Sequence, residues 1–130
     1  MRHLSAILAL WAGITACAQA AEPITLGLNY PRTGPYKEEG LAQMRGALLA
    51  IDEINAAGGV LGRPLRLSSK DTASRPAKAE RNVDKLAAEG AAMLFGGSSS
   101  AVAIAAGKRA KEHGLLYFGT LTYSNDTTGK

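Results

Sequence analysis

Met93-Leu-Phe-Gly-Gly-Ser-Ser-Ser-Ala-Val-Ala-Ile-Ala-Ala106 is the stretch whose reading decides the fold. A short apolar run meets a glycine pair, then three hydroxyls, then the opening turns of an alanine-rich helix. A helix that begins where a buried strand ends directs unpaired backbone N–H groups and a partial positive charge out of the sheet edge. Serines at that junction either cap the helix or bind an anionic ligand, and each oxygen has limited capacity for both. Strongly patterned segments flank residues 96–100 closely, which excludes a flexible linker. An ordinary capped turn remains the alternative to a binding turn.

Working outward, residues 91–95 form the strand and the helix after the serines ends near His113-Gly114. Upstream, residues 24–30 mix apolar and small residues, as suits a strand covered on both faces. Two prolines and a glycine in 31–36 then force a turn. The spacing of Leu41, Met44, Leu48, Ile51 and Ile54 predicts a helix over 38–57 with one apolar stripe. Glu38 and Glu39 stand in its first turn, and Gly58-Gly59 ends it. A second strand covers 65–70. Ser74 is the expected N-cap of a second helix, with Pro76 in its first turn, Ala79, Val83 and Leu86 facing inward, and Gly90 closing it. A fourth strand at 115–119 precedes a polar tail with no partner element.

The order β-α-β-α-β-α-β predicts an α/β fold: an open, mostly parallel sheet with helices on both faces. Ligands of such sheets gather at the carboxyl ends of the strands, near the switch in strand order. The loops at 30–39, 96–100 and 120–124 are expected to converge there.

The 130 residues allow one small domain. Residues 1–20 read as a signal peptide: a basic start, an apolar run too short to span a bilayer comfortably, and the small-residue pattern Ala18-Gln19-Ala20. Residues 21–130 are then the mature part. Ile14-Thr-Ala-Cys17 also resembles a bacterial lipobox, so cleavage after Ala20 and lipidation at Cys17 compete; the soluble periplasmic form is preferred. Cys17 is the only cysteine, so the chain has no internal disulfide. The formal charge of +4 falls to +3 once Arg2 leaves with the signal. Basic residues are mixed with acidic ones and lack interleaved aromatics, so there is no nucleic-acid footprint.

No catalytic pattern holds. The spacing from Gly96-Gly97 to Gly107-Lys108 is wrong for a phosphate loop, and there is no G-x-G-x-x-G. The serines lack the closing glycine of a nucleophile elbow. His113, the only histidine outside the signal, falls about 20 Å from the start of its helix at ~1.5 Å per residue. Asp71-Thr-Ala73 lacks the glycine of an aspartic-protease strand and reads as a capping Asp. No His/Cys/carboxylate cluster suggests a metal, and no cofactor is expected.

Thr33-Gly34-Pro35, the run Gly46-Ala-Leu-Leu-Ala-Ile-Asp-Glu-Ile-Asn-Ala-Ala-Gly-Gly-Val-Leu-Gly-Arg-Pro64, Asp71, and Gly96-x-x-Ser99-Ser-Ala-Val102 together resemble the leucine/branched-chain amino-acid-type periplasmic binding proteins. The likeness covers 24–130, and the run ending at Pro64 is its most specific part. It implies a two-lobed protein that captures a small solute between closing α/β lobes and passes it to an ABC permease in the inner membrane, with no catalysis. It also implies that Ser100, with Ser98 and Ser99 beside it, and Leu121-Thr122-Tyr123 hold the ligand carboxylate, while Glu39 faces the cleft. Leu121 and Tyr123 stand where the family has small residues and a threonine, and Glu39 would repel a second carboxylate. Amino acids, amides, urea-like compounds and small organic acids therefore stay open, and Arg32 is either an exposed turn residue or a second anion contact. Hydrogen bonds of about 1.5–3 kcal/mol each from one lobe do not outweigh association costs of about 4–15 kcal/mol, so the chain is expected to be a fragment. A sensor domain of the same fold, or a flavodoxin-like α/β enzyme, are the competing readings.

Overall fold

The apolar and small residues of Ile24–Tyr30 form β1, the strand around which the sheet is built. In a computed structural model describing residues 21–128, β1 is flanked by β2 (Leu65–Asp71) and β3 (Met93–Gly97), and β4 (Tyr117–Thr120) lies beyond β3. The order is β2-β1-β3-β4 and every pairing is parallel. Register runs from Ile24 opposite Leu65 to Tyr30 opposite Asp71, with Leu26 opposite Met93 and Gly97 opposite Thr120. The chain leaves β1 toward one neighbour and later returns to the other, so the switch in strand order falls between β1 and β3. The readings made for residues 1–20 lie outside the described residues.

Helices α1 (Lys37–Ala56), α2 (Pro76–Ala88) and α3 (Ser100–Glu112) cover both faces, as the alternation predicts. Val83, Leu86, Leu94, Val102 and Ala106 are fully buried between α2, α3 and one face of the sheet. Side-chain parity along β1 places Asn29 on that face too. Its carboxamide donates to the Ala79 carbonyl at 2.9 Å and accepts from Asn82 Nδ2 at 3.0 Å, so the buried amides are paired.

The opposite face departs from expectation. Of the predicted stripe on α1 only Ile51 is buried, whereas Leu48 is 46% and Ile54 38% exposed. Ile54 borders an apolar groove of about 310 Å³ between α1 and the β3–β4 half of the sheet, lined also by Leu26, Ile51, Met93, Phe95 and Phe118. Helical periodicity identifies the face that prefers burial, but burial also requires an element to pack on it. Among the described residues none covers β4 on this side.

Other boundaries moved for local reasons. The third strand begins at Met93 rather than Ala91, because Ala91 N bonds back to Leu86 O and finishes the helix end. Likewise, β4 spans Tyr117–Thr120 rather than 115–119, since Leu115 N is drawn to Ala110 O. Ser74 is not the N-cap of α2. Arg75 takes that position in an extended conformation, and Ser74, at φ 56°, accepts from Tyr36 N. The tail has a partner after all: Asn125–Thr128 form a 3-10 turn packed on α3.

The closing part of the long run, Asn55 to Pro64, holds the end of α1 to the start of β2. Asn55 donates to Leu65 O at 2.9 Å and accepts from Leu65 N at 2.7 Å, fixing the end of α1 to the start of β2. A side chain on Gly59 would lie 2.2 Å from Arg63 O, and its φ of 77° favours glycine independently. Val60 and Arg63 then bond each other across a tight turn.

Candidate solute-binding site

Because all strands run parallel, the loops after β1, β3 and β4 emerge at one edge. The loop after β1 is held by Asp71 at the end of β2. Its Oδ1 accepts the N–H of Arg32, Thr33 and Ala73 at 2.9, 3.1 and 2.9 Å, and its Oδ2 accepts Thr33 Oγ1 at 2.8 Å and Lys78 Nζ at 2.9 Å. Partial burial alone would push this carboxyl up; Lys78, Ala73 and Thr33 outweigh it and hold Asp71 well below the usual carboxylate range. Asp71 is therefore a structural clamp with every lone-pair direction engaged. Thr33-Gly34-Pro35 belongs to the same clamp, since a side chain on Gly34 would meet Ala73 O at 2.7 Å. Arg32 is an exposed residue of this loop.

The loop after β3 is built by backbone geometry that few residues adopt. Gly96 and Gly97 both have φ of 129°, and a Cβ on Gly96 would lie 2.2 Å from Asn29 O. Ser98 follows at φ 60°, its N–H bonded to Thr120 O at 3.1 Å. Ser99 is the N-cap residue of α3, in extended conformation and with no side-chain capping bond. The first N–H groups of α3 are left without helical partners, as at any helix start. No acidic residue stands in that first turn to offset the helix dipole, so this end of the helix is electropositive.

The three serines are not equivalent. Ser98 is 5% exposed and its Oγ accepts from Gln43 Nε2 on α1. Ser100 Oγ accepts the N–H of Tyr123 at 3.1 Å and of Ser124 at 3.2 Å, which ties the loop after β4 to α3. It keeps one O–H to donate. Ser99 is partly exposed beside the free N–H groups. The resemblance put Ser100 first, with Ser98 and Ser99 beside it; the backbone assigns Ser98 to the turn, Ser100 to the neighbouring loop and Ser99 to the surface.

The structure brings the predicted loop residues to the same edge. Leu121 sits at φ 54° and is 49% exposed, and Tyr123 is almost wholly exposed. Thr122 is half-buried with its methyl over Gly97 and Gly119, and makes a long 3.5 Å contact to Thr127 Oγ1. Glu39 is exposed on the first turn of α1, one turn before Gln43. Residues four apart share a helix face, so Glu39 lies on the side of α1 that meets the serine turn. Gln43 itself escaped the sequence reading; its signal was a polar residue set among Leu41, Met44 and Ala47. His113 is the C-cap residue of α3, at the far end, with Nε2 2.7 Å from Asp84 Oδ1. Arg109 and then His113 lower the Asp84 carboxyl, forming a surface cluster remote from the serines.

An electropositive helix end with available N–H groups, two neighbouring hydroxyls and an aromatic rim suits a small anionic group. Comparison with known proteins gives the family. Residues 23–130 match a family model described as periplasmic binding protein. The Leu/Ile/Val-binding protein BraC3 of Rhizobium johnstonii is 35% identical over 107 residues, which is 82% of this chain and 29% of that protein. The leucine-, isoleucine-, valine-, threonine-, and alanine-binding protein of Pseudomonas aeruginosa is 38% identical over 85 residues, 65% of this chain and 23% of that one. The crystal structure of the branched-chain amino acid transporter substrate binding protein LivJ from Streptococcus pneumoniae, in complex with isoleucine, superposes with a TM-score of 0.79 at 30% identity, covering 82% of this chain and 31% of that chain. The chain thus spans less than a third of the length of these relatives.

Proposed function

The chain belongs to the periplasmic binding protein family, and from that premise we propose that it is the N-terminal part of the substrate-binding component of an ABC importer. The full-length protein captures a small amino acid or a similar polar solute between two lobes and delivers it to an inner-membrane permease, without catalysis. Residues 1–20 direct export and residues 21–130 begin the first lobe, with a periplasmic location and lipid attachment at Cys17 as the variant form. The observation that carries the reading is the electropositive start of α3, where Ser99 is partly exposed and Ser100 anchors the loop that carries Tyr123.

The solute carboxylate lies against the first N–H groups of α3, with O–H donors from Ser99, Ser100 and Thr122. Ser98 contributes by shaping the turn. Leu121 and Tyr123 wall the pocket, and Glu39, on the same side of α1 as Gln43, favours an ammonium or neutral group over a second carboxylate. Isoleucine is bound in the related structure from Streptococcus pneumoniae, and branched-chain amino acids stand in the names of the relatives, which supports amino acids as the class.

The test is calorimetric titration of the full-length gene product with L-leucine, L-isoleucine, L-valine, L-threonine and L-alanine. Saturable binding of at least one, weakened about tenfold or more by Ser99→Ala combined with Thr122→Ala, supports the reading; each lost hydrogen bond to a charged group removes about 1.5–3 kcal/mol. Undiminished affinity in that double variant puts the pocket elsewhere. A sensor of the same fold would bind equally well, and is separated by whether uptake of the bound solute falls when the gene is deleted.

A further inference from the structure

Ser98 enters α3 in a left-handed conformation, φ 60°, after two glycines that also have positive φ. Gly96 and Gly97 adopt such angles without penalty, whereas a serine pays a steric cost for its Cβ. Something must hold Ser98 there. Its N–H is bonded to Thr120 O, and its buried hydroxyl meets Gln43 Nε2 at 2.5 Å, 55 residues away in sequence. That bond crosses the switch point between α1, on one face of the sheet, and the turn leading to α3 on the other.

We infer that Gln43 is a positioning residue for the anion-binding turn: it holds Ser98 left-handed, which aims Ser99 and the first N–H groups of α3 at the solute. The inference rests on the binding role proposed for the turn. Gln43 reaches the site only through Ser98. Among the described residues its Oε1 is buried with no partner, and so is Thr120 Oγ1. An apolar side chain of similar length would fill the space without stranding an acceptor, so the side chain's contribution lies in the bond to Ser98. With the amide turned over, Ser98 would donate to Oε1 instead, and the tie between the two residues would be the same.

Glycine at 98 provides the test, because it takes this conformation unaided. In the full-length gene product, with L-leucine as calorimetric probe, Gln43→Met is expected to weaken binding about fivefold to tenfold, the loss of roughly one buried hydrogen bond. Ser98→Ala, which removes the hydroxyl but keeps the Cβ, loses at least as much, and Ser98→Gly loses several-fold less than Ser98→Ala because glycine holds the left-handed conformation without the tie. In the Ser98→Gly background, Gln43→Met then adds less than about twofold. In ligand-free protein the amide resonances of residues 98–100 move in Gln43→Met and move far less when the same change is made on Ser98→Gly. Binding by wild type that Gln43→Met leaves unaltered, or that falls equally in both backgrounds, overturns the inference. So does equal binding by Ser98→Ala and Ser98→Gly, a contrast that does not require any Gln43 variant to fold. Wild type that binds none of the amino acids defeats the proposed function itself, and the role inferred here goes with it.

Discussion

The two faces of the sheet obey one hydrophobic rule with opposite outcomes. On the α2–α3 face, Val83, Leu86, Leu94 and Val102 are inaccessible to solvent. On the α1 face, Ile54 and Phe118 are 38% and 53% exposed and border an open groove. Both faces carry apolar residues at the spacing their elements require. They differ in how many elements pack there: among the described residues two helices meet each other and the sheet on one side, and α1 alone lies on the other, chiefly over β1 and β2. An apolar stripe thus records a preference, and its stabilisation is realised only where a second surface arrives.

The sharpest way to break that comparison is truncation on each side. Leu86→Ala should lower unfolding free energy by about 2–5 kcal/mol, measured by urea denaturation, because both transfer and cavity terms are lost. Phe118→Ala, at 53% exposure, should cost less than about 1 kcal/mol in the same assay. Equal losses would mean that the groove is filled in solution.

Next in size is the polar pairing that the closed face protects. Asn82→Ala leaves Asn29 Oδ1 and the Asp71 carbonyl without their buried donor, and about 1–3 kcal/mol of stability should go with it. A cost under about 0.5 kcal/mol would show that water reaches a face taken here to be dry.

The Asp71 clamp at the edge of the sheet tests the contrast by pH. Its carboxyl is depressed in the folded chain, so its stabilisation is complete above the unfolded value, about 3.9, and is lost as pH falls below that toward the folded value. Asp71→Asn should flatten the acid limb of stability below about pH 4, with Lys78 and the loop N–H groups deprived of their charged acceptor. An acid limb identical to wild type would reassign the effect to other carboxylates. The smallest effect belongs to the exposed flank of α1: Leu48→Ser should change stability by no more than about 0.5 kcal/mol while raising the concentration at which the protein stays monomeric in light scattering.

Much of the architecture was legible in order and spacing. The strand at 24–30 was read to the residue, and Ala79, Val83 and Leu86 face inward as their spacing required. Strand ends beside glycines were less legible, because Ala91 and Leu115 are taken up by helix-closing hydrogen bonds that periodicity does not register. Within the site, the identity of the serine turn was readable from a strand, two glycines and a helix start. Its division of labour was not. Nothing local distinguishes Ser98 from Ser99, and the partners that do so, Gln43 and the 123–124 backbone, are distant in the chain.

The order of apolar runs, glycine punctuation and proline positions was enough to set four parallel strands, their crossover helices and the edge at which loops gather, because each depends on short-range sterics and periodicity. Which hydroxyl bonds to backbone and which is left exposed was decided only when α1, the serine turn and the loop after β4 came together. A hydrogen bond is assigned by distance and direction between groups, and the linear chain carries neither.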